Sequence, residues 1–356
     1  MQRAGGSAQG LVHGRPGSQD EPCRGRLARR RRDVARDNAS SMQAFAFDRQ
    51  TLPLPAGHRF PAGKYRLLRE RLAGRPGLRL TQAPPASDGE LALAHTPAYV
   101  SAVVEGHLDA VQQREIGFPW SPEMVERSRH SVGATIAAAR AALGEGIGVN
   151  LGGGTHHATA DKGAGYCVFN DTAVAARLMQ AEWHRARRRA HPSLLRIAVI
   201  DLDVHQGNGT ASIFRDDDSV FTLSIHAARN FPFRKEPSDL DVDLPDGCRD
   251  DAYLDALDGA LAELWRRHHA APPGLIFYLA GADPHEGDRL GRLKLSAAGL
   301  VERDRRVLAA ARERGIPVAL SMAGGYGRDI GVTVQLQVAT VEAAWASWRQ
   351  WNNAQP

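Results

Sequence analysis

Five short apolar runs constrain this chain more than any other feature: GIGVNL, RIAVIDLDV, SVFTLSI, GLIFYLAG and PVALSMAG. Each has the length of one strand, and each is a short β-branched or apolar run, as a strand covered on both faces requires. Helical patterns lie around them, at Lys64 to Leu72, Pro97 to Leu108, Pro122 to Leu143, Asn170 to Arg189, Asp251 to His268 and Ser296 to Arg314. Together they predict an α/β fold: a single doubly wound, mostly parallel sheet with helices on both faces. No repeat of solenoid period and no linker interrupts residues 42–356, so these are expected to form one catalytic-size domain. Chemistry in such sheets collects in the loops beyond the carboxyl ends of the strands.

Composition closes off several classes of function. The 356 residues are 43% hydrophobic and 24% charged, ordinary for a globular protein, and no apolar stretch approaches the length of a membrane span. No membrane partner is expected. The three cysteines, Cys23, Cys167 and Cys248, form no Cys-x-x-Cys pair, so a metal would have to be held by histidine and carboxylate. Without the apolar run of a secretory signal, the expected compartment is the cytoplasm. The net charge of +5 resides in residues 1–41, where nine arginines face four acidic residues and large apolar side chains are almost absent. This segment is expected to be a disordered basic extension, upstream of an alternative start at Met42. Nucleic acid is an unlikely partner except through it, because four lysines against 41 arginines fit a GC-rich genome better than a selected DNA-binding surface.

The unusual residues fall at strand ends. RIAVIDLDVHQGNG brings Asp201, Asp203 and His205 to the end of an apolar strand, where a two-residue period would project all three to one side. Buried carboxylates are costly unless paired or bound to a cation, and Asp with His suits zinc, iron or manganese. In LGGGTHHATADKGAGYCVFND a strand runs through three glycines into His156 and His157. LAGADPHEGDRLGRL places Asp283 just past a third strand, and SMAGGYGRD places Tyr326 after paired glycines.

GGGTHH, DLDVHQGNG, GADPHEGDRLGRL and AGGYG together resemble the histone deacetylase family of zinc amidohydrolases, on the arginase/deacetylase fold, over about residues 43–345. Within it the chain looks like the class IV branch and its bacterial members. The resemblance implies hydrolysis of N-acyl-lysine-type amides, with Asp203, His205 and Asp283 as zinc ligands. It assigns His157 as general base and acid, His156 as its partner backed by Asp201, and Tyr326 as the oxyanion donor. Tyr166, Phe231, Gly165 and Gly154 would line the substrate tunnel. Backbone carbonyls of Asp201, Asp203 and His205, with Ser224 and Ile225, match a site that the family often fills with potassium.

Two departures from the wider family agree with class IV: Asn208 where many relatives pair the second histidine with Asp, and Gln206 in place of a histidine. An amide still orients His157 but adds no charge. Cys167 is read as a buried small hydrophobe rather than a nucleophile, and His58, His95, His130, His226 and His285 as loop or core residues. Substrates are expected to be acyl-lysine proteins or peptides, the alternative being acylpolyamines or other small amides. A non-catalytic acyl-lysine-binding or nucleic-acid-associated regulator is the reading from another class, but no catalytic position has been lost. Nothing in the sequence sets the oligomeric state.

Overall fold

The computed structural model describes residues 41–187 and 194–353, so the expectations about residues 1–40 lie outside the described residues. The strands are β1 Met42–Ala46, β2 Leu78–Gln82, β3 Ile147–Asn150, β4 Ile197–Asp201, β5 Val220–Ala227, β6 Leu240–Leu244, β7 Leu275–Leu279 and β8 Val318–Ser321. They form one eight-stranded sheet in the order β2-β1-β3-β8-β7-β4-β5-β6, and every pairing is parallel. All eight carboxyl ends therefore share one edge. The five apolar runs became β3, β4, β5, β7 and β8. Asn150, Ser321, Leu279, Asp201 and Ser224 stand in one register row across them, each facing the next.

The strands absent from the sequence reading are β1, β2 and β6. At the edges, β2 is only half-buried and β6 alternates acid with apolar residues, as strands with a wet side do. In β1, Gln43 breaks the run.

The helices are α1 Lys64–Leu72, α2 Asp88–Leu91, α3 Pro97–Glu105, α4 Ala110–Ile116, α5 Pro122–Glu145, α6 Asp171–Arg187, α7 Asn208–Phe214, α8 Asp250–Arg267, α9 Ala297–Glu313 and α10 Ile330–Asn353. Their ends follow capping chemistry. The Thr96 side chain accepts from Tyr99 N–H with Pro97 next in line, and α3 stops at Gly106, whose φ of 79° is left-handed, short of the expected Leu108. Likewise the Ser296 hydroxyl accepts from Gly299 N–H, which makes that residue the cap of α9 rather than its first turn.

Both faces of the sheet are covered, as predicted. In β4, Ala198 and Ile200 join a core with α1, α8, α9 and α10, while Ile197 and Val199 join a second core with α3, α5 and α6. Ile197, Val199 and Ile200, essentially inaccessible to water, contribute about 1.5–3 kcal/mol each. The sandwich holds the four central strands, β3, β8, β7 and β4, and with them the loops that carry the unusual residues.

Candidate active site

Asp203 and His205 sit just past β4, in a loop rather than on the strand, so a strand period does not aim them. The loop is bent by its own acids: Asp201 Oδ1 accepts from the Asp203 N–H at 3.1 Å, and Asp203 Oδ1 accepts from the His205 N–H at 2.9 Å. Asp201 thereby turns away to another partner. Asp283, past β7, accepts the Val204 N–H at Oδ1 (3.0 Å), while its Oδ2 is buried with no hydrogen-bond partner. Asp203, His205 and Asp283 offer ligand atoms that all lie within 4.8 Å of one another. Burial, reinforced by the charge of Asp203, raises the Asp283 carboxyl above its ordinary range.

That assembly fits a divalent cation. An orphaned carboxylate oxygen beside a second carboxylate and an imidazole is costly as it stands, and becomes favourable once a cation is shared among them. The donor set, two oxygens and one nitrogen with room for other ligands, is that of a catalytic rather than a structural zinc site. The cradle also requires a glycine: a Cβ on Gly324 would lie 1.8 Å from Asp283 Oδ2 and 2.5 Å from Asp203 Oδ2. Gly324 N–H instead donates to Asp203 Oδ2 at 2.8 Å. From behind, the buried Arg303 guanidinium donates to the carbonyls of Leu202 (3.3 Å) and Gly281 (2.6 Å), one and two residues from the acids.

The loop after β3 delivers the histidines. It is tied to buried Asp171 at the start of α6, whose carboxylate accepts from Gly154 N–H (2.9 Å), Thr155 N–H (2.8 Å) and Thr155 Oγ1 (2.7 Å). His156 Nδ1 lies 2.6 Å from Asp201 Oδ2. Although burial opposes it, Asp201 and Asp203 raise this imidazole to about 9. His157 Nδ1 lies 2.7 Å from Asn208 Oδ1, at the first turn of α7. An amide oxygen only accepts, so Nδ1 carries the proton and Nε2 presents a lone pair. Burial, then His156 and His205, push His157 well below the ordinary value. The surroundings of the two adjacent rings, 4.2 Å apart, thus favour the charged form of His156 and the neutral form of His157.

A cavity of about 440 Å³ stands over these groups, and His156, His157, Asp203, His205, Tyr166, Phe231, Gly165, Gly154 and Tyr326 all line it. Phe231 meets the His157 ring edge-on at 4.9 Å, and the Tyr166 and Tyr326 rings are 5.9 Å apart. Gly165 is forced twice over: its φ is 54°, and a Cβ there would lie 2.6 Å from His157 Cδ2. Tyr326 N–H donates to Asp288 Oδ2 at 2.6 Å, and burial raises its phenol so that the hydroxyl stays protonated. Ser224 is the register partner of Asp201 and lies 2.9 Å from His226 Nδ1, with Ile225 buried beside it.

Residues 58–341 match the histone deacetylase domain family. The chain belongs to that family. It is 44% identical over 281 residues to an uncharacterized protein of Picosynechococcus sp., covering 78% of this chain and 90% of that one. It is 39% identical over 201 residues to histone deacetylase 2 of Arabidopsis thaliana, covering 56% of this chain and 49% of the relative. To the acetoin utilization protein AcuC of Bacillus subtilis it is 31% identical over 230 residues, with 58% and 56% covered. The chain thus spans about half the length of these last two. Crystal structures of a histone deacetylase homologue, from Aquifex aeolicus and in complex with SAHA, superpose with a TM-score of 0.70 at 22% identity, covering 88% of this chain and 89% of those. The fold is that of the arginase/deacetylase group, as the motifs implied.

Every side chain that the motifs nominated for ligand, base or oxyanion roles converges on this one pocket of the deacetylase domain, with Asp201 and Asn208 directly behind the two histidines. The sequence reading missed Phe60, Tyr65, Arg127 and Phe233 in the lining, and Asp171, Asp288 and Arg303 behind it. The Gln206 amide bonds Glu236 O at 2.6 Å, Asp241 Oδ1 at 2.9 Å and the Glu236 N–H at 3.0 Å, stapling the neighbouring loop rather than hydrogen-bonding His156 or His157. Burial pushes the Cys167 thiol up, which suits a packed wall residue and not a nucleophile. His58, His95 and His285 each accept a backbone N–H, from Phe60, Asn170 and Gly287, and His130 bonds Ala83 O.

Proposed function

We propose that this chain is a metal-dependent, zinc-preferring amidohydrolase of the class IV deacetylase type that cleaves N-acyl-lysine amides. One observation carries the proposal: Asp203, His205 and Asp283 bring their ligand atoms within 4.8 Å of one another, under a pocket that also holds two histidines of divided charge and a protonated tyrosine. A cation held by those three side chains would supply Lewis-acid polarisation of the amide carbonyl and a water of lowered pKa.

The rest of the chemistry belongs to the chain. His157 Nε2 accepts the proton of the attacking water and returns it to the departing amine. His156, kept cationic by Asp201, adds a fixed positive charge where negative charge develops. The Tyr326 hydroxyl donates to the carbonyl oxygen as that oxygen becomes an oxyanion, and Asp288 fixes its backbone. Asn208 orients His157 without adding charge, which together with Gln206 supports the class IV placement. Tyr166 and Phe231 wall the tunnel in which the lysine stem lies, above Gly165 and Gly154. Ser224, Ile225 and the backbone carbonyls of Asp201, Asp203 and His205 are proposed to hold a potassium ion. The two described cysteines are unpaired, which supports a cytoplasmic setting.

Metal content and hydrolysis of acetyl-lysine peptides, measured on the same preparations, test the assignment. Asp203→Ala, His205→Ala and Asp283→Ala are expected to lose bound zinc and turnover together while keeping the native circular dichroism spectrum. Full turnover by metal-stripped wild type would overturn it.

A further inference from the structure

We propose that the pocket recognises an acyl group bearing its own terminal carboxylate, with Arg127, in its lining, as the counter-ion. This deepens the amide-hydrolysis assignment and rests on it. Arg127, on α5, is 9% exposed and lines the same cavity as His157 and Tyr326. Its guanidinium lies against the rings of Phe47 (5.2 Å), Phe60 (5.4 Å) and Tyr65 (4.7 Å). Among the described residues it has no ion pair and no hydrogen bond, and its Nη2 is buried without a partner.

Arg303, buried more deeply at 1% exposure, shows what such a group ordinarily requires. Arg303 bonds the Asp304 carboxylate and two carbonyls. Asp48 borders a neighbouring cavity of about 240 Å³ that Arg127 also lines, but it is already taken by Arg69 at 2.7 Å and Gln82 at 3.2 Å. Ring faces alone do not offset the desolvation of a cation. A planar carboxylate does, through two parallel N–H···O bonds. A purely apolar acyl tail at this position would leave the charge unmatched, whereas a dicarboxylic acyl group neutralises it. The reaction then balances as ordinary hydrolysis: water adds across the amide C–N bond, the amine leaves with a proton, and the other product is a dicarboxylate.

The test uses the full chain loaded with zinc and one lysine peptide acylated in turn with acetyl, butyryl, pentanoyl, succinyl and glutaryl groups. The better of the succinyl and glutaryl peptides should exceed its neutral counterpart in kcat/KM by about tenfold or more, the worth of one charge-assisted pair. Arg127→Met should erase that ratio, and its melting temperature should not fall, because an unmatched charge has been removed. Equal rates for charged and neutral acyl groups in wild type overturn the proposal and leave the amidohydrolase assignment standing. If Arg127→Met instead slows all acyl groups alike and relieves inhibition by acetate, the arginine serves the released acid and the proposal fails. If no peptide is cleaved, the amidohydrolase assignment fails, and calorimetry decides the site by itself. N-methylglutaramate should bind wild type but not Arg127→Met, with N-methylpentanamide binding neither; indifference to the charge refutes it.

Discussion

Arg303 and Asp304 form a buried pair, each about 1% exposed at the side chain, with guanidinium nitrogens 2.8 and 2.9 Å from Asp304 Oδ1. Tyr278 and Thr340 hydroxyls donate to the same carboxylate, and Arg303 holds the carbonyls of Leu202 and Gly281. Removing either partner strands the other's charge, which costs about 3–5 kcal/mol. Arg303→Met and Asp304→Leu should each lower the melting temperature by roughly 10 °C, since about 1 kcal/mol moves a domain of this size class by a few degrees. The double variant removes both charges. The stranded-charge cost counted in each single then disappears, so the double should fall short of the sum of the singles by about 0.5–3 kcal/mol, the coupling range for residues in direct contact. Because the two carbonyls adjoin Asp203 and Asp283, Arg303→Met should also weaken zinc binding by about 10- to 100-fold, the range for groups that orient ligands. Chemical denaturation of metal-free protein gives the coupling, and a competition titration with a zinc chelator gives the affinity. Additive single effects would refute the ion-pair account. Unchanged zinc affinity in a folded Arg303→Met protein would refute the mechanical link between the pair and the ligands.

Three further outcomes follow from other groups. Tyr326→Phe should keep fold and zinc yet lose about 10²–10³ in kcat, as for removal of one oxyanion donor; a rate within threefold of wild type would place that donor elsewhere. Asn208→Asp sets a negative charge against His157, whose pKa burial and neighbouring histidines depress, so the acidic limb of kcat/KM should move to higher pH. An overlaid profile in folded, zinc-loaded protein would uncouple the two. Burial lowers His95 to about 4 from 6.5, so the unfolded chain takes up a proton below pH 6.5 that the native state refuses. Stability should fall by roughly 3 kcal/mol as pH drops from 6.5 to 4, and His95→Gln should flatten that slope in urea titrations at stepped pH.

What the sequence disclosed and what it hid have physical causes. Strands buried on both faces advertise themselves, so β3, β4, β5, β7 and β8 were visible, whereas β2 and β6 look like loops because one side of each is wet. Helix α10 escaped although Asp329 precedes it and accepts the Gly331 N–H at 2.7 Å, because its first turns, IGVTV, carry a glycine and β-branched residues that favour extended backbone. At the site, ligands and bases stood out because acids and histidines are out of place after apolar runs. Arg127, Asp171 and Arg303 did not, because on a helix they read as solvated charges, and only the packing of distant elements buries them. Even Asp203 and His205 were aimed for the wrong reason: side-chain-to-backbone turns orient them, not strand pleat.

The register row of Asn150, Ser321, Leu279 and Asp201 acts as a common zero line from which the chemistry is measured along the chain. Asp203, Asp283, Tyr326 and His156 lie two, four, five and six residues beyond it. A slip of one residue between any two of these strands would displace one contribution by about 3.3 Å, and between β4 and β7 it would part the metal ligands, whose site tolerates errors of only about 0.2 Å. Ladder hydrogen bonds thus serve as a vernier, and a mispaired sheet yields no hydrolase of lesser quality but an inert one. Occupancy of the cation site is accordingly an assay of the register between β4 and β7, readable without any substrate.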